Sequence, residues 1–383
     1  MTAPRRARRP AAGGFTLAHA AADHWGIAAK ACLGGVTAAA AGANVGFLYA
    51  TEALGDDLSS ILTFMRETTR IPHWTGAVAP GLCADADEYR GGGALAVMVG
   101  RLPEAGFHCF SGLNAASIRE IADPWLAGRR AAAIVHGDPR NPAVPQAIED
   151  LADGIAVMAG GLVSAAGPPA QVADTVVSGG LSGLLLGPEI EVVTGLTQGC
   201  TPIGPAHMVS EAWQGVLMGL DGRPALEVLK EEAGELIARD IRRAAGYIHV
   251  AVPVPGSDPH DYLVRGLVGI DARQGWLALG GRAETGDRLM FVRRDPNAAR
   301  ADLKRMLADV RRRLDGRPVL AAFYFTCVAR GADMFGEDGI EAAMVRKALG
   351  GAPLLGFFAN GEIAGGRLYG YTGVLMAIVG APP

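Results

Sequence analysis

Gly373-Val-Leu-Met-Ala-Ile-Val379 is apolar along its whole length. Seven residues cannot span a bilayer. No polar residue alternates with the apolar ones, so the stretch reads as a strand buried on both faces. Working back from it, Leu354–Asn360 reads as a second strand, Ile340–Leu349 as a helix and Val319–Val328 as a first strand. The same strand–helix–strand–strand order occurs twice earlier. Val45–Thr51, Asp57–Arg66, Trp74–Gly81 and Ala94–Gly100 make one instance, its helix carrying Leu58, Ile61, Leu62 and Met65 at three- and four-residue spacing. Ala131–Gly137, Pro145–Asp153, Ile155–Ser164 and Gly183–Gly187 make the other. The expected fold is α/β, with mixed sheets in two modules built from repeated βαββ units, the product of a duplication, and helices packed outside the sheets.

A different region separates the second and third instances. Glu211–Leu220 and Pro224–Glu232 are short amphipathic segments joined by Asp221-Gly222, a turn signal. Glu232–Ala245 is expected to be helical. Tyr247–Val252, Tyr262–Ile270, Trp276–Leu279 and Leu289–Val292 follow as the strands of an antiparallel meander. A helix over 297–314 places Leu303, Met306, Leu307, Val310 and Leu314 on one face.

A chain of 383 residues suggests two domains. We expect a disordered basic tail over residues 1–25, which lacks the clean apolar run of a twin-arginine signal, then modules over 26–190 and 191–383. Apolar residues make up 50% of the chain and charged residues 19%, enough for a large core. With 54 glycines and 23 prolines, many tight turns are expected. The net charge of −4 gives no electrostatic reason to expect nucleic acid. Cys32, Cys83, Cys109, Cys200 and Cys327 are odd in number and irregular in spacing, which argues against a disulfide framework or structural zinc. With no apolar run long enough to cross a membrane, the expected location is cytoplasmic.

Small and polar residues cluster directly after strand-like runs. They occur at Thr197-Gln-Gly-Cys-Thr-Pro-Ile-Gly204, Phe325-Thr-Cys-Val-Ala-Arg-Gly331 and Gly356-Phe-Phe-Ala-Asn-Gly-Glu362, with Leu220-Asp-Gly-Arg-Pro-Ala-Leu226 between the first two and Tyr371-Thr372 after the last. In order and spacing these segments resemble the FIST family, most closely its C-terminal module. The resemblance implies a sensor of small ligands, used in signal transduction, and brings no catalytic residues with it. Some members resemble haem-dependent gas sensors.

Cys200 and Cys327 each end a strand. Either can be a reactive thiol if nearby charge lowers its pKa, or a small buried apolar residue. Arg330 can fork onto an anionic group, or pair with Asp333 or Glu337 and fix its own loop. Asn360 and Glu362 flank Gly361, and Asn-Gly alone is a hairpin signal. His73, His207 and His249 are candidate axial ligands for a haem, which would be non-covalent because no Cys-x-x-Cys-His motif occurs. A metal loop could be drawn from Asp258, His260 and Asp261, although adjacent ligands at one turn rarely close a coordination sphere. Phosphate-loop, nucleophile-elbow and dinucleotide fingerprints do not occur.

These readings lead to a stand-alone, cytoplasmic sensory protein that binds a small and possibly anionic ligand, such as an amino acid, and passes its signal to a separate signalling protein. The expected site gathers Gln198, Gly199, Cys200, Thr201, Cys327, Arg330, Asn360 and Glu362 into one pocket bordered by Tyr371 and Thr372, with Arg330 neutralising the ligand. The alternatives are a cysteine-dependent enzyme using Cys200 or Cys327, a haem-binding gas sensor and a protein-interaction scaffold.

Overall fold

A computed structural model describes residues 14–167, 171–234, 247–254 and 261–382. The chain enters through β1 (Thr16–Ala21), α1 (Trp25–Ala40), β2 (Val45–Thr51), α2 (Leu58–Thr69), β3 (His73–Ala79), β4 (Gly81–Ala84), β5 (Asp87–Arg90) and β6 (Ala94–Gly100). It continues through β7 (Phe107–Gly112), α3 (Ala115–Leu126), β8 (Ala131–Gly137), α4 (Val144–Leu151), β9 (Ile155–Leu162), β10 (Gln171–Ala173), β11 (Thr175–Val177), β12 (Leu181–Leu186) and β13 (Val192–Thr197).

A strand-rich insertion follows: β14 (Cys200–Pro202), β15 (His207–Trp213), β16 (Val216–Leu220), β17 (Arg223–Pro224), α5 (Ala225–Ala233), β18 (Ile248–Pro253), β19 (Tyr262–Asp271), β20 (Trp276–Leu279) and β21 (Arg288–Arg294). The chain ends with α6 (Pro296–Leu314), β22 (Val319–Cys327), α7 (Ala332–Phe335), α8 (Ile340–Ala348), β23 (Leu354–Ala359), β24 (Glu362–Ala364), β25 (Arg367–Tyr369) and β26 (Gly373–Val379). By mutual contact the larger unit takes Met1–Thr197, Leu303–Leu368 and Thr372–Pro383, and the smaller takes Gln198–Asp302 and Tyr369–Tyr371. The boundary at 190–191 is a reading of chain order, whereas these units follow contact in space.

The three sheets of the larger unit share one arrangement. Their orders are β1-β6-β2-β3, β7-β12-β8-β9 and β13-β26-β22-β23. In each, the strands flanking the inner helix are parallel and the later apolar strand lies antiparallel to the first of them. A hairpin from another part of the unit completes each edge: β10-β11 on β3, β24-β25 on β9, and β4-β5 on β23. Covered edges leave fewer backbone groups unpaired.

Gly76, Gly160 and Gly356 hold the same place in the three sheets, opposite Leu48, Val135 and Tyr324. A Cβ added at any of them would lie within 1.8 Å of the partner's carbonyl oxygen, so only glycine fits. Duplication as the origin of this arrangement remains our reading of the sequence.

Strands buried on both faces need two covers. The inner faces share a core with Phe47, Tyr49, Ile134, Phe323, Phe325 and Phe357. Each such side chain contributes about 1.5–3 kcal/mol on burial. Outside, α1 and α2 press Cys32, Val36, Ile61 and Met65 onto the first sheet, and α3 and α4 press Ile118 and Ile148 onto the second.

The tail expected over residues 1–25 needs correction in its described part. Thr16–Ala21 is held as β1 by pairing with β6, from Thr16 opposite Val99 to Ala21 opposite Ala94.

The smaller unit closes on itself. Its strands run β21-β15-β16-β20-β19-β18, and β18 pairs back onto β21. The four strands expected as a meander therefore do not run in simple succession, because β21 leaves β20 and closes the barrel against β18. Closure removes the exposed edges that an open meander would keep. Val209, Leu217, Val250, Leu267, Leu277 and Phe291 belong to the barrel's hydrophobic cluster. Asp221 and Gly222, with φ of 50° and 77°, turn the chain from β16 to β17, the backbone signature of a tight hairpin. The helix expected over Glu232–Ala245 falls almost wholly outside the described residues.

Candidate functional site

The expected site residues form two groups, one in each unit. In the larger unit, β22 ends at Cys327 beside the start of β26, and the Cys327 amide donates to the Thr372 carbonyl at 2.9 Å. Glu362, fully buried at the start of β24, accepts from the Thr372 amide at 3.1 Å and from the Thr372 hydroxyl at 2.7 Å, both on Oε2. Its Oε1 has no hydrogen-bond partner. Burial pushes the Glu362 carboxyl up to about 8, against the pull of the Thr372 bonds, Arg330 and the Cys327 thiol. The carboxyl is thus poised to hold or release a proton near neutrality.

Arg330 lies one turn beyond Cys327 and is 1% exposed. Its Nε donates to Glu341 Oε1 at 2.8 Å and its Nη2 at 2.5 Å. Tyr324 donates to the same oxygen at 2.6 Å, and Thr326 to Oε2 at 3.2 Å. Burial alone would lower the guanidinium's pKa, but the Glu341 carboxylate and Tyr324 raise it above its ordinary value. The partner expected for a loop-fixing role was Asp333 or Glu337. It is instead Glu341, in the first turn of α8.

In the smaller unit, the Gln198 amide donates to Asp302 Oδ2 at 2.7 Å and its side-chain nitrogen to the Tyr262 carbonyl at 2.9 Å. Its Oε1, also buried, has no partner. The Gly199 carbonyl accepts from Asp295 at 3.0 Å. Cys200 pairs with Arg294 and Thr201 with Arg293 as β14 meets β21. Cys200 packs in an apolar cluster with Ala251, Tyr262, Val264 and Val292, against which Tyr371 also rests. Tyr371, at φ 64°, stacks on the buried ring of His249 with centroids 4.4 Å apart. Neither ring nitrogen of His249 has a hydrogen-bond partner. Burial, helped by Arg294, pushes that imidazole down to about 4, which keeps it neutral at physiological pH.

A profile of the FIST N domain matches residues 44–223, and one of the FIST C domain matches residues 225–365. The chain belongs to the FIST family. FIST domains are associated with sensory signal transduction through small-ligand binding. Among curated relatives, an uncharacterized protein of Mycobacterium tuberculosis is 37% identical over 218 residues, covering 53% of this chain and 55% of its own. An uncharacterized protein of Mycobacterium bovis is 34% identical over 217 residues, covering 53% of this chain and 54% of its own. The chain thus spans about half the length of the curated relatives it matches.

Other parts of the FIST chain refine the expectations. Asn360 is exposed, so packing does not hold its side chain for ligand recognition. Of the candidate haem ligands, His207 uses both ring nitrogens on carboxylates, Asp221 and Glu232, each at 2.6 Å. His73 Nδ1 lies 3.2 Å from Asp174. His249, with neither nitrogen engaged, is the one the sequence pattern could not single out, since its burial depends on Tyr371 far along the chain. The metal loop considered at Asp258 and His260 falls outside the described residues, while Asp261 accepts from Tyr369 at 2.9 Å.

The larger unit also has a cleft of about 260 Å³ lined by Thr194, Gly195, Met306, Asp309 and Arg313. Another of about 710 Å³ is lined by Phe15, Arg311, Arg317, Leu320 and Arg346. Neither draws on the motif residues. No helix among the described residues is long and apolar enough to cross a membrane.

Proposed function

We propose that this FIST protein is a small-ligand-binding sensor and that its motif residues recognise the ligand. The observation that carries the reading is the set of buried polar atoms without a protein partner at motif positions: Gln198 Oε1 in one unit and Glu362 Oε1 in the other. Leaving such a group unsatisfied costs about 1–3 kcal/mol. A ligand with N–H or O–H donors would satisfy an acceptor of this kind in either unit, and an amino acid's ammonium group has that chemistry. Cys327 and Thr372 hold the Glu362 carboxyl in place. Cys200, Thr201 and Gly199 shape the turn that carries Gln198, and Tyr371 offers a stacking face. Arg330 acts by positioning, because its charge is already met by Glu341. Asn360 keeps a peripheral part in this reading.

The protein acts without a chemical step of its own and passes the bound state to a separate signalling protein. We place it in the cytoplasm, on its odd and irregularly spaced thiols. Isothermal titration with a panel of amino acids tests the reading. Binding that weakens in folded Glu362→Gln or Gln198→Leu supports it. Binding unaltered in both, or absent from the whole panel, contradicts it.

A further inference from the structure

Away from the motif residues, β3, β7 and the β10–β11 hairpin bring a histidine, a cysteine and an aspartate together on the larger unit. His73 Nδ1, Cys109 Sγ and a carboxylate oxygen of Asp174 all lie within 4.8 Å of one another. We propose that His73, Cys109 and Asp174 form a binding site for a divalent transition-metal ion of the zinc type, with one coordination position open to solvent or an exogenous ligand.

The placement is built by the fold. β10 pairs with β3, so the tip of its hairpin sets Asp174 beside Trp74. Asp174 Oδ1 accepts from the Trp74 amide at 2.9 Å, and the Asp174 amide donates to the Trp74 carbonyl at 2.7 Å. One carboxylate oxygen is thereby anchored while Oδ2 faces His73 at 3.2 Å. That separation is close to the edge of a tetrahedron of ligands about 2.0 Å from a zinc ion, roughly 3.3 Å. Phe107 and Cys109 share a face of β7. Phe107 meets the His73 ring edge-on at 5.4 Å, and Cys109 Sγ lies 3.8 Å from the Trp74 carbonyl. Backbone anchoring of a ligating carboxylate is the usual outer support of a metal site.

The chemistry fits the same ion. A nitrogen, a sulfur and a carboxylate suit zinc or a similar borderline ion, and exclude the all-oxygen preference of calcium or magnesium. A thiolate and a carboxylate with neutral imidazole balance a dication. Burial and the Asp174 carboxylate push the Cys109 thiol up, so without a metal it is a protonated thiol and a poor nucleophile. Metal entry breaks the S–H bond, forms the metal–sulfur bond and releases the proton to water. The His73 and Asp174 side chains are 46% and 38% exposed, which gives an ion a path inward.

Cobalt(II) added to the chelator-treated full chain reports on the site directly. The expected result is one equivalent bound, with a near-ultraviolet thiolate-to-cobalt charge-transfer band and visible bands of four-coordinate intensity, all lost on adding zinc(II). Cys109→Ser removes the charge-transfer band. His73→Gln weakens cobalt binding about 10-fold or more, the scale on which even the outer partners of a metal site act. Circular dichroism checks that each metal-free variant is folded. If Cys109→Ser is not, His73→Gln, altered at a half-exposed ring, decides the matter. No charge-transfer band in the wild type, a band that persists in Cys109→Ser, or unchanged affinity in His73→Gln overturns the proposal.

Discussion

The motif residues of the larger unit include two buried ionisable side chains, Arg330 and Glu362, whereas those of the smaller unit are an amide, a thiol and the Tyr371 ring stacked on His249. In the larger unit a guanidinium at 1% exposure is matched by a carboxylate, and a second carboxyl is driven towards its protonated form. In the smaller unit an imidazole is driven towards its neutral form under Tyr371. Burial acts in both places, and because it always opposes charge it moves acid and base pKa values in opposite directions. The two groups should therefore answer opposite changes of pH. They should also tolerate substitution differently, since a paired charge cannot lose one partner cheaply.

The largest effect is expected at Arg330. Arg330→Ala leaves Glu341 buried without its counter-ion and should cost about 3–5 kcal/mol in chemical denaturation. Replacing both partners with apolar residues should cost markedly less. A small loss in the single variant would break the contrast between the units.

Glu362→Gln comes next. The folded pKa of Glu362 is raised from 4.5 to about 8, so the stability it contributes is complete below pH 4.5 and is lost as pH rises through about 8. Wild-type denaturation midpoints should fall across that window relative to Glu362→Gln. Parallel profiles would show that the carboxyl does not titrate there. His249 should do the reverse. Its pKa is lowered from 6.5 to about 4, so stability is present above 6.5 and is lost as pH falls towards 4. His249→Phe should flatten the acid side of the profile, and an unaltered acid limb would refute the burial argument. Asn360→Ala, at an exposed position, should change stability by no more than about 0.5 kcal/mol. A larger loss in thermal denaturation would mean that Asn360 does structural work.

Much of the fold was legible because doubly buried strands leave an unmistakable apolar run. Val45–Thr51 and Ala131–Gly137 have the same bounds in sequence and structure. What the sequence withheld was long-range pairing. Nothing in Gly81–Ala84 announces that it will lie against Leu354–Ala359, because a strand's pattern encodes its faces and leaves its neighbour unspecified. α1, rich in alanine and glycine, lacked the contrast between faces that marks a helix. Among the candidate residues, the turns after strands pointed to Cys327, Glu362 and Thr372, which Thr372 links by hydrogen bonds, and to Arg330, which turns to Glu341. Glu341 went unread because its role depends on α8 returning to β22. His249 was read as one of three candidate haem ligands, but not as a ring buried under Tyr371, because that cover is set by the fold.

The central claim is that the motif residues hold a small molecule. Native mass spectrometry of freshly purified protein tests it most directly, comparing the wild type with folded Glu362→Gln and Gln198→Leu. The account predicts a small-molecule adduct on the wild type that is reduced or lost in at least one variant. A bare wild-type chain, or equal adduct occupancy in all three proteins, would contradict it.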